Sequence, residues 1–414
     1  MKKSLHRALW AGALVAAATV VVPVVQASAA TACAPAWSST AVYVKDNAAS
    51  QNGHNYTAKW WTQNESPATH SGQWDVWADS GACGSSTPTT TPPTTTPPTT
   101  TPPATTPPTT QPPSGTLPAH FLTGYWQNFS NGAAALKLAS VPATYDLVAV
   151  AFADATSTPG AVSFTLDPGL AAQVGGYTDA QFKADIATMH SRGKKVIISV
   201  GGQNGTVSVS DSGSATNFAN SVYSLMTTYG FDGVDIDLEN GINSTYMASA
   251  LRGLRAKAGA NLIITLAPQT IDMQSTGSSY FALALSIKDI ITVVNTQFYN
   301  SGSMLGCDRN QAYAQGTENF LTALACLQTQ GGLRPDQVAL GLPASSSAAG
   351  GGYQSPANVN AALDCLARAT NCGTFKPPAT YPGIRGAMTW SINWDVSNGN
   401  SFANTVKPHL ATLP

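Results

Sequence analysis

Eight short apolar runs follow one another between residues 119 and 414, and they restrict the possible folds of this chain more than any other feature. Most are continuous and rich in Val, Ile or Leu, as is typical of parallel strands that are buried on both faces. Helical patterns separate many of the runs, and this alternation predicts the α/β class and a (β/α)8 TIM barrel. The expected strands lie near 120–126, 145–153, 194–200, 231–238, 261–267, 291–299, 337–342 and 385–391, and the clearest helices near 178–192, 212–229, 241–258, 315–329 and 356–369.

The fourth apolar run ends in a row of acidic residues. Residues 231–239 read Phe-Asp-Gly-Val-Asp-Ile-Asp-Leu-Glu. Because side chains alternate along a strand, Asp235, Asp237 and Glu239 share one face, with successive carboxylates ~6.6 Å apart. Crowded acids repel one another, so at least one of the three should keep a proton at neutral pH. Active sites of TIM barrels lie at the C-terminal ends of the strands, and the row therefore predicts acid catalysis there.

Two plainer explanations of the acidic row are a solvent-exposed strand edge and a metal site. An exposed edge does not need the regular apolar residues Val234, Ile236 and Leu238 on its other face. A metal site usually includes His or a ring of oxygen ligands. The six His residues are scattered without ligand spacing, so we expect no metal and no other cofactor. Asp232 is out of register with the other acids and is expected to support the structure near the start of the strand.

The pattern of these acids resembles the signature of the family-18 glycoside hydrolases, the chitinases and their relatives: Asp232-x-x-Asp235-x-Asp237-x-Glu239. Five further segments are similar to motifs of the same family. They are Ser199-Val-Gly201-Gly202, Gln297-Phe-Tyr299-Asn300, Met388-Thr-Trp390-Ser391, Gly124-Tyr125-Trp126-Gln127-Asn128 and Ala267-Pro268-Gln269. The resemblance covers roughly residues 119–414, which we expect to be a catalytic barrel.

The resemblance implies that the chain hydrolyses the β-1,4 bonds of chitin with retention of configuration. Glu239 would act first as general acid and then as base. The acetamido oxygen of the substrate would be the nucleophile and form an oxazolinium ion, with Asp237 holding the acetamido N–H. Asp235 would share a proton with Asp237, and Tyr299 would orient the acetamido carbonyl. Further sugar contacts are expected from four residues: Tyr125, Gln297, Asn300 and Trp390, the last as the floor beneath the sugar.

The stretches between the predicted strands are modest in length, and residues 343–384 are too few for a further domain beside the cleft. We therefore expect an open groove, which favours cleavage within a polysaccharide chain. Two alternatives remain open, an endo-β-N-acetylglucosaminidase acting on N-glycans and a non-catalytic chitin-binding lectin. Barrel lectins of this kind often lack the terminal acid, so the presence of Glu239 favours an enzyme.

Residues 1–29 have the pattern of a signal peptide. Lys2, Lys3 and Arg7 are followed by an apolar stretch and by the small residues Ala27-Ser28-Ala29. Pro23 interrupts the apolar stretch, so we expect a secreted, extracellular protein and no membrane anchor. Removal of the three basic residues takes the formal net charge from −1 to −4. A weakly acidic surface argues against nucleic acid as a partner, and we expect a monomer that binds chitin and N-acetylglucosamine oligomers.

A Pro/Thr-rich segment at residues 85–118 divides the chain, and residues 89–113 repeat a unit of mostly Thr-Thr-Thr-Pro-Pro. Such a segment cannot bury a core and is expected to be an extended linker. The small unit before it, residues 31–84, contains five of the nine Trp residues of the chain. The run Tyr56-Thr-Ala-Lys-Trp60-Trp61-Thr62, followed by Trp74, resembles the small chitin- and cellulose-binding modules of families 5 and 12. Trp60, Trp61 and Trp74 are the candidates for stacking on polysaccharide, and either polymer is a possible ligand.

Six cysteines in an exported chain predict disulfides. Cys33 and Cys83 bracket the small N-terminal unit, which is expected to be a disulfide-bonded all-β module, so we pair them. The close spacing of Cys365 and Cys372 favours a second pair, and Cys307 and Cys326 would then form the third. Spacing alone does not fix the last two pairs.

Overall fold

The computed structural model of the protein describes residues 31–43, 46–59, 62–63, 65–72, 76–84 and 116–414. These residues belong to two compact units, one within residues 1–106 and one within residues 107–414. The predicted signal peptide, the linker as far as residue 115, and Trp60, Trp61 and Trp74 lie outside the described residues. The expectations for those segments remain predictions.

The first unit is built from short antiparallel strands. They are β1 (Val42–Tyr43), β2 (Ala48–Gln51), β3 (His54–Ala58), β4 (Thr62–Gln63) and β5 (Trp77–Ala82). β1 pairs with β4, and the other three strands form a sheet with β3 in the centre. The described residues of this unit therefore have the all-β architecture that we expected.

A small apolar cluster holds the first unit together. It contains Ala49, Tyr56, Ala58 and Trp77, and the indole nitrogen of Trp77 donates a hydrogen bond to the carbonyl oxygen of Glu65 at 2.9 Å. So few buried side chains give little hydrophobic stabilisation, and units of this size usually need a covalent link. The predicted disulfide between Cys33 and Cys83 provides that link.

The second unit contains eleven strands among its described residues. They are β6 (Phe121–Gln127), β7 (Leu147–Ala155), β8 (Val162–Ser163), β9 (Lys195–Gly202), β10 (Gly233–Leu238), β11 (Ile263–Leu266), β12 (Val293–Gln297), β13 (Ser303–Leu305), β14 (Ala312–Ala314), β15 (Val338–Pro343) and β16 (Gly386–Trp390). Eight are parallel and follow the order β6-β7-β9-β10-β11-β12-β15-β16. β6 also pairs with β16, so the sheet closes into the predicted TIM barrel. Each barrel strand overlaps one of the eight apolar runs of the sequence.

The barrel strand β10 shows why the apolar runs form buried strands. Val234, Ile236 and Leu238 point outward and pack in the main hydrophobic core together with the surrounding helices. Asp235 and Asp237 alternate with them and point into the barrel. A separate apolar cluster fills the interior of the barrel below the acids. The two faces of β10 therefore serve different purposes, packing on the outside and polar chemistry on the inside.

Nine α-helices connect the strands of this described unit: α1 (Pro168–Gln173), α2 (Asp179–Ser191), α3 (Ser212–Tyr229), α4 (Ser244–Ala258), α5 (Ser279–Ser286), α6 (Glu318–Gln330), α7 (Pro356–Arg368), α8 (Ile392–Ser397) and α9 (Ser401–Leu410). The five helices expected from the sequence correspond to α2, α3, α4, α6 and α7. Side-chain caps fix several starts; for example, Thr178 accepts a hydrogen bond from the Gln181 N–H at the start of α2. Within the described part of the chain, the helices are all too short or too polar to cross a membrane.

The connections after the strands differ from one another. The short stretch between β6 and β7 holds only a 3-10 turn, Leu138–Ser140, instead of a full helix. The connection after β12 carries the hairpin of β13 and β14, and a disulfide between Cys307 and Cys326 joins that connection to α6. A further disulfide links Cys365 to Cys372 after α7. These two pairs are the ones that the sequence favoured.

Candidate active site

The acidic row of β10 runs from the barrel interior to a cleft at the C-terminal end of the strands. Asp235 is fully buried and Asp237 is 4% exposed, whereas Glu239, the first residue after β10, is partly exposed. Asp237 and Glu239 line a cleft of about 890 Å³, and Asp235 lies beneath it. The three acids thus form a column with its outer end open to a ligand.

Asp235 is held by three hydroxyl groups from neighbouring strands. Tyr125 and Ser199 donate to its Oδ2 at 2.6 and 2.7 Å, and Thr265 donates to its Oδ1 at 2.5 Å. Burial raises the pKa of Asp235, and the three hydrogen bonds oppose that rise because they favour the carboxylate. Asp235 is therefore a fixed acceptor at the base of the column.

Asp237 is the member of the row that most favours the protonated form. Burial raises its pKa well above the ordinary value for Asp, and the charges of Asp235 and Glu239 raise the pKa further. The amide of Gln297 donates to Oδ1 at 2.9 Å and opposes the rise only in part. The direction of this shift agrees with the effect that we expected from crowding of the acids.

Two glutamine amides lie beside Glu239. Nε2 of Gln297 is 3.4 Å from Oε1, and Nε2 of Gln269 is 3.4 Å from Oε2. Both distances are long for hydrogen bonds, so the carboxyl group remains available to a substrate. Gln269 and Gln297 belong to neighbouring strand ends that are joined by a backbone bridge.

Tyr299 lies two residues after β12 and lines the cleft, with 8% of the residue exposed. Burial and the charges of Asp237, Glu239 and Asp235 raise the pKa of its hydroxyl well above the ordinary value. The side chain is therefore a neutral phenol and a hydrogen-bond donor at any working pH. No other described residue engages this hydroxyl, which leaves it available to a ligand.

Three nearly parallel aromatic rings form a floor in the cleft. The ring of Trp390 lies 5.9 Å from that of Phe152 and 6.3 Å from that of Phe129, with interplanar angles of 16° and 29°. The rings of Phe129 and Phe152 are 6.4 Å apart. All three residues line the cleft. Flat apolar rings at the base of a polar cleft suit the apolar face of a sugar.

Two glycines at the end of β9 form a wall of the cleft. A Cβ at Gly201 would lie 2.1 Å from the backbone oxygen of Asp237, and one at Gly202 would lie 2.6 Å from the ring of Phe152. Their φ angles of 126° and 75° also favour glycine. This close approach lets the backbone of β9 lie against the acids and the aromatic floor.

Asn300 lines the cleft from the connection after β12. It exchanges two hydrogen bonds with Gly351, one through its backbone N–H and one through its side-chain oxygen, each of 3.1 Å. The second fixes the connection after β15 beside the cleft. A sugar contact by Asn300, and likewise by Gln297 and Trp390, remains a prediction that their cleft positions allow.

The position of Tyr125 contradicts its expected contact with sugar. The residue is 1% exposed and its ring packs 5.6 Å from that of Trp390, beneath the floor of the cleft. Its side chain faces the barrel interior, where the hydroxyl donates to Asp235. Tyr125 therefore holds Asp235 in place, and a sugar in the cleft cannot reach it.

Asp232 has the structural position expected for it, at the other end of β10. Its carboxylate accepts hydrogen bonds from His190 Nε2 at 2.7 Å, Lys195 Nζ at 3.1 Å and the Val196 N–H at 2.8 Å. These groups lie at the N-terminal end of the barrel, away from the cleft. Charge pairs at the N-terminal end of a TIM barrel serve stability, because the active site lies at the opposite end.

The cleft lining carries acids and neutral groups. Asp154, Asp237 and Glu239 are its carboxylic acids, and among the described residues that line it there is no Lys, Arg or His. The described residues also include no cluster of His, Cys, Asp or Glu suited to a metal ion. This lining disfavours an anionic ligand, and its Asn, Gln and Tyr side chains offer partners to hydroxyl and amide groups.

Comparison with known families identifies the barrel. The model of the glycosyl hydrolases family 18 matches residues 122–409, which is well over half of the chain. The chain belongs to glycosyl hydrolase family 18. The matched residues include the whole acidic row, Tyr299 and Trp390, so the family-18 match covers the site described above.

Three proteins illustrate the relationship within family 18. A solved structure of a protein provisionally named Chitinase A, from Streptomyces coelicolor, is 66% identical with a TM-score of 0.69 and covers 71% of this chain and 99% of that chain. Chitinase D of Niallia circulans is 37% identical, over 71% of this chain and 62% of its own length. Exochitinase 1 of Streptomyces olivaceoviridis is 35% identical, over 70% of this chain and 55% of its own length. The chain therefore spans only about three fifths of the length of these two curated relatives.

Sequence reasoning missed several residues of the family-18 cleft. Phe129 and Phe152 were not proposed, although each stands at the C-terminal end of a predicted strand, where aromatic residues could have been sought. Gln269 belongs to a segment that resembles a family motif, but no role was assigned to it. Asp154, two residues beyond Phe152, was also overlooked. Phe152 and Asp154 reach the cleft from β7, at and beyond a shift in its register, and Phe129 and Gln269 reach it from loops. Neither a register shift nor a loop conformation is local information in the sequence.

Proposed function

We propose that this family-18 protein is a chitinase that hydrolyses β-1,4 links between N-acetylglucosamine residues. One observation carries the proposal: the partly exposed carboxyl of Glu239 opens onto the cleft directly beyond Asp237, whose raised pKa favours the protonated form. Tyr299 stands in the same cleft as a neutral donor. A proton donor, a second acid and a phenol around an aromatic floor support glycoside hydrolysis better than simple binding.

In the proposed reaction Glu239 first donates a proton to the glycosidic oxygen. The bond between that oxygen and the anomeric carbon then breaks, and the leaving sugar departs with the proton. In the second half Glu239 removes a proton from the attacking water. Its long contacts with Gln269 and Gln297 allow the carboxyl to change its protonation state without breaking a strong hydrogen bond.

The remaining acids are poor candidates for an enzymic nucleophile. Asp237 favours the protonated form, and a protonated acid attacks carbon weakly. Asp235 is buried beneath the cleft with both oxygens bound by hydroxyl groups. We infer that the acetamido oxygen of the substrate attacks the anomeric carbon instead, which gives an oxazolinium ion and retention of configuration.

The other polar groups would serve that intramolecular attack. Tyr299 would donate its hydroxyl to the acetamido oxygen and orient it, and Asp237 would accept the acetamido N–H. As positive charge develops, Asp237 would share its proton with Asp235, so the two acids are best treated as one titrating set. Orientation of an internal nucleophile lowers the activation free energy of its attack by several kcal/mol, the order of magnitude expected for proximity effects.

We propose that cleavage occurs within chains. Residues 344–385, between β15 and β16, contain α7 and loops but no further domain that could close one end of the cleft. An open cleft accepts a chain at any internal position. The relative named Exochitinase 1 represents the alternative, which predicts short products of uniform size from the start of the reaction, whereas internal cleavage lowers the viscosity of a soluble chitin derivative early.

The export of the protein, its domain organisation and its oligomeric state also remain proposals. We propose a secreted monomer in which residues 1–29 are a signal peptide, residues 31–84 bind chitin, residues 85–118 are a linker and residues 119–414 are catalytic. The all-β fold and the disulfide of the first unit support a binding module. Adsorption of the full chain to chitin and to cellulose, compared with that of Trp60→Ala, Trp61→Ala and Trp74→Ala, tests this assignment and its polymer preference.

Release of reducing ends tests the activity itself. The wild-type chain should release them from chitin, and Glu239→Gln should not, while a soluble glycoprotein incubated in parallel should keep its N-glycans. Release of N-glycans without activity on chitin would favour the endo-β-N-acetylglucosaminidase alternative. Early-time NMR should give a product with the β configuration retained; an inverted product excludes the oxazolinium route.

A further inference from the structure

The carboxyl group of Glu239 is not held in place by its own contacts. Its neighbours are the amides of Gln269 and Gln297, each 3.4 Å away, and both distances are long for hydrogen bonds. A general acid acts only when it lies within reach of the oxygen that it protonates. The direction of this side chain must therefore be set by the backbone at the end of β10, which ends at Leu238.

The end of β10 is supported unequally by its two neighbouring strands. Pairing with β9 continues to Leu238, whose partner is Gly202, whereas pairing with β11 stops at Ile236, whose partner is Leu266. The carbonyl oxygen of Ile236 accepts a hydrogen bond from the Ala267 N–H on the β11 side. Because backbone groups of alternate residues point to the same side of a strand, the N–H of Leu238 also points there, beyond the last pair. This buried N–H needs a partner from outside the sheet.

The hydroxyl of Tyr280 is that partner. It accepts a hydrogen bond from the Leu238 N–H at 2.6 Å and donates a longer one, of 3.4 Å, to the carbonyl oxygen of Ile236. Tyr280 lies in the first turn of α5, is 3% exposed and does not line the cleft. Burial raises the pKa of its hydroxyl well above the ordinary value, and the charge of Asp237 raises the pKa further. The hydroxyl therefore stays neutral and can both accept and donate, as this position requires.

Asn240 supports the other side of the same strand end. Its side-chain nitrogen donates to the carbonyl oxygens of Gln203 at 3.1 Å and Gly205 at 2.9 Å, both in the loop after β9. That loop is folded tightly, since the Gly205 N–H donates to the carbonyl oxygen of Gly202 at 2.9 Å. The residue that follows Glu239 is thus tied to the end of β9.

We propose that Tyr280 and Asn240 clamp the end of β10 and thereby aim the carboxyl of Glu239 at the glycosidic oxygen. The inference rests on the proposed function. Tyr280 does not reach the cleft, so it is a positioning residue and acts through Glu239. Without its hydroxyl, β10 would keep the pairing with β9 and lose the support at Leu238 on the β11 side. Glu239 would then be free to move away from the bond that it protonates.

Two substrates with different leaving groups test the clamp in the full chain. An N-acetylglucosamine trimer releases a sugar, whose oxygen needs a proton from Glu239, whereas the 4-nitrophenyl glycoside of the dimer releases 4-nitrophenolate, which is stable without one. We compare kcat/KM because it reports the first half of the reaction, in which Glu239 is the acid. Tyr280→Phe should lower kcat/KM on the trimer roughly 10-fold, as expected for slight misplacement of a catalytic group, and much less on the nitrophenyl glycoside.

Asn240→Ala is a second variant, in case Tyr280→Phe does not fold. Asn240 is exposed, so its removal should leave the fold intact. This variant loses the tie to the loop after β9. It should show the same selective loss of kcat/KM on the trimer.

Tyr177→Phe is the matched control for Tyr280→Phe. Tyr177 is 4% exposed, and its hydroxyl likewise accepts a hydrogen bond from a backbone N–H, that of Leu138 at 3.3 Å, and donates one to an oxygen, on Asp185 at 2.5 Å. These groups belong neither to β10 nor to the cleft lining. The control should lose stability as Tyr280→Phe does, but its ratio of the two kcat/KM values should equal that of the wild type.

Hydrogen exchange measured by mass spectrometry follows the clamp without reference to activity. The peptide that contains residues 236–242 should exchange faster in Tyr280→Phe than in the wild type or in Tyr177→Phe, because the Leu238 N–H has lost its acceptor. Unchanged exchange in this peptide would show that the hydroxyl does not hold the end of β10, and would overturn the proposal.

The kinetic comparison has its own contrary result. Equal losses of kcat/KM on the two substrates, in Tyr280→Phe and in Asn240→Ala, would mean that these residues support only the fold, and the aiming role would be wrong. A wild type that cleaves neither substrate would instead refute the proposed function, and with it the acid that the clamp is inferred to aim. The two failures are distinct, because the first requires an active wild type.

Discussion

The two ends of β10 carry acids in opposite environments. At the N-terminal end Asp232 is surrounded by His190 and Lys195. At the C-terminal end Asp235, Asp237 and Glu239 have no Lys, Arg or His partner among the described residues and are held by hydroxyl and amide groups. An acid that is paired with basic side chains stabilises a fold. Buried acids without such partners cost stability and tend to retain protons. One strand therefore separates a stabilising region from a chemically active one.

Of the substitutions at the two ends of β10, Glu239→Gln should have the largest effect on activity. Loss of the general acid should lower kcat on chitin by roughly 10²- to 10⁴-fold, the usual range for such groups. The free energy of unfolding should change little, because the side chain is partly exposed and makes only long contacts. Reducing-end assays and urea unfolding check the two halves of this statement. A stable variant with wild-type activity would remove Glu239 from the mechanism.

Tyr299→Phe should have the next largest effect on activity. It removes one hydroxyl that donates to a group gaining charge in the transition state, which is worth roughly 10- to 100-fold in kcat. The ring remains, so substrate binding and stability should be close to those of the wild type. A rise in KM at constant kcat would indicate simple binding and contradict the orienting role.

Asp232→Ala should show the reverse behaviour. It leaves Lys195 and the Val196 N–H without an acceptor, which should cost about 1–3 kcal/mol of stability. At temperatures where the variant is folded, its kcat should equal that of the wild type. A loss of kcat larger than the loss of folded protein would show that the two ends of β10 are coupled.

Asp237→Asn should give the smallest effect on stability, and the one that depends most on pH. The pKa of Asp237 is raised in the folded state, so the wild type is most favoured below the unfolded-state pKa and loses stability as pH rises through the folded-state pKa. Asn cannot ionise, so the variant should gain stability relative to wild type as the pH rises from acidic to neutral. Urea unfolding across that interval is the measurement. A stability difference that stays constant with pH would contradict the raised pKa.

The local pattern of apolar and polar residues was sufficient to predict most of the fold and the positions of the acidic residues. The outward residues Val234 and Ile236 and the inward residues Asp235 and Asp237 follow from alternation along one strand, which requires no knowledge of the rest of the chain. The alternation of strands and helices then predicts the barrel, and it predicts that the acidic row meets the cleft at the C-terminal end of the strands.

The remaining parts of the site depend on contacts between distant segments. The hydroxyl of Tyr125 reaches Asp235 across the barrel, so its burial could not be derived from β6 alone. Phe152 stands where the pairing of β7 with β9 shifts register between Ala151 and Ala153, and this irregularity turns its ring toward the cleft. Neither the register shift nor the conformation of a loop has a strong local signature.

The pairing of β6 with β16 has a consequence for how the barrel folds during synthesis. The first barrel strand cannot find one of its two neighbours until almost the whole chain has been synthesised. Until then the growing polypeptide presents two open strand edges, which invite association with other chains. A truncation before residue 386 should therefore aggregate on release from the ribosome.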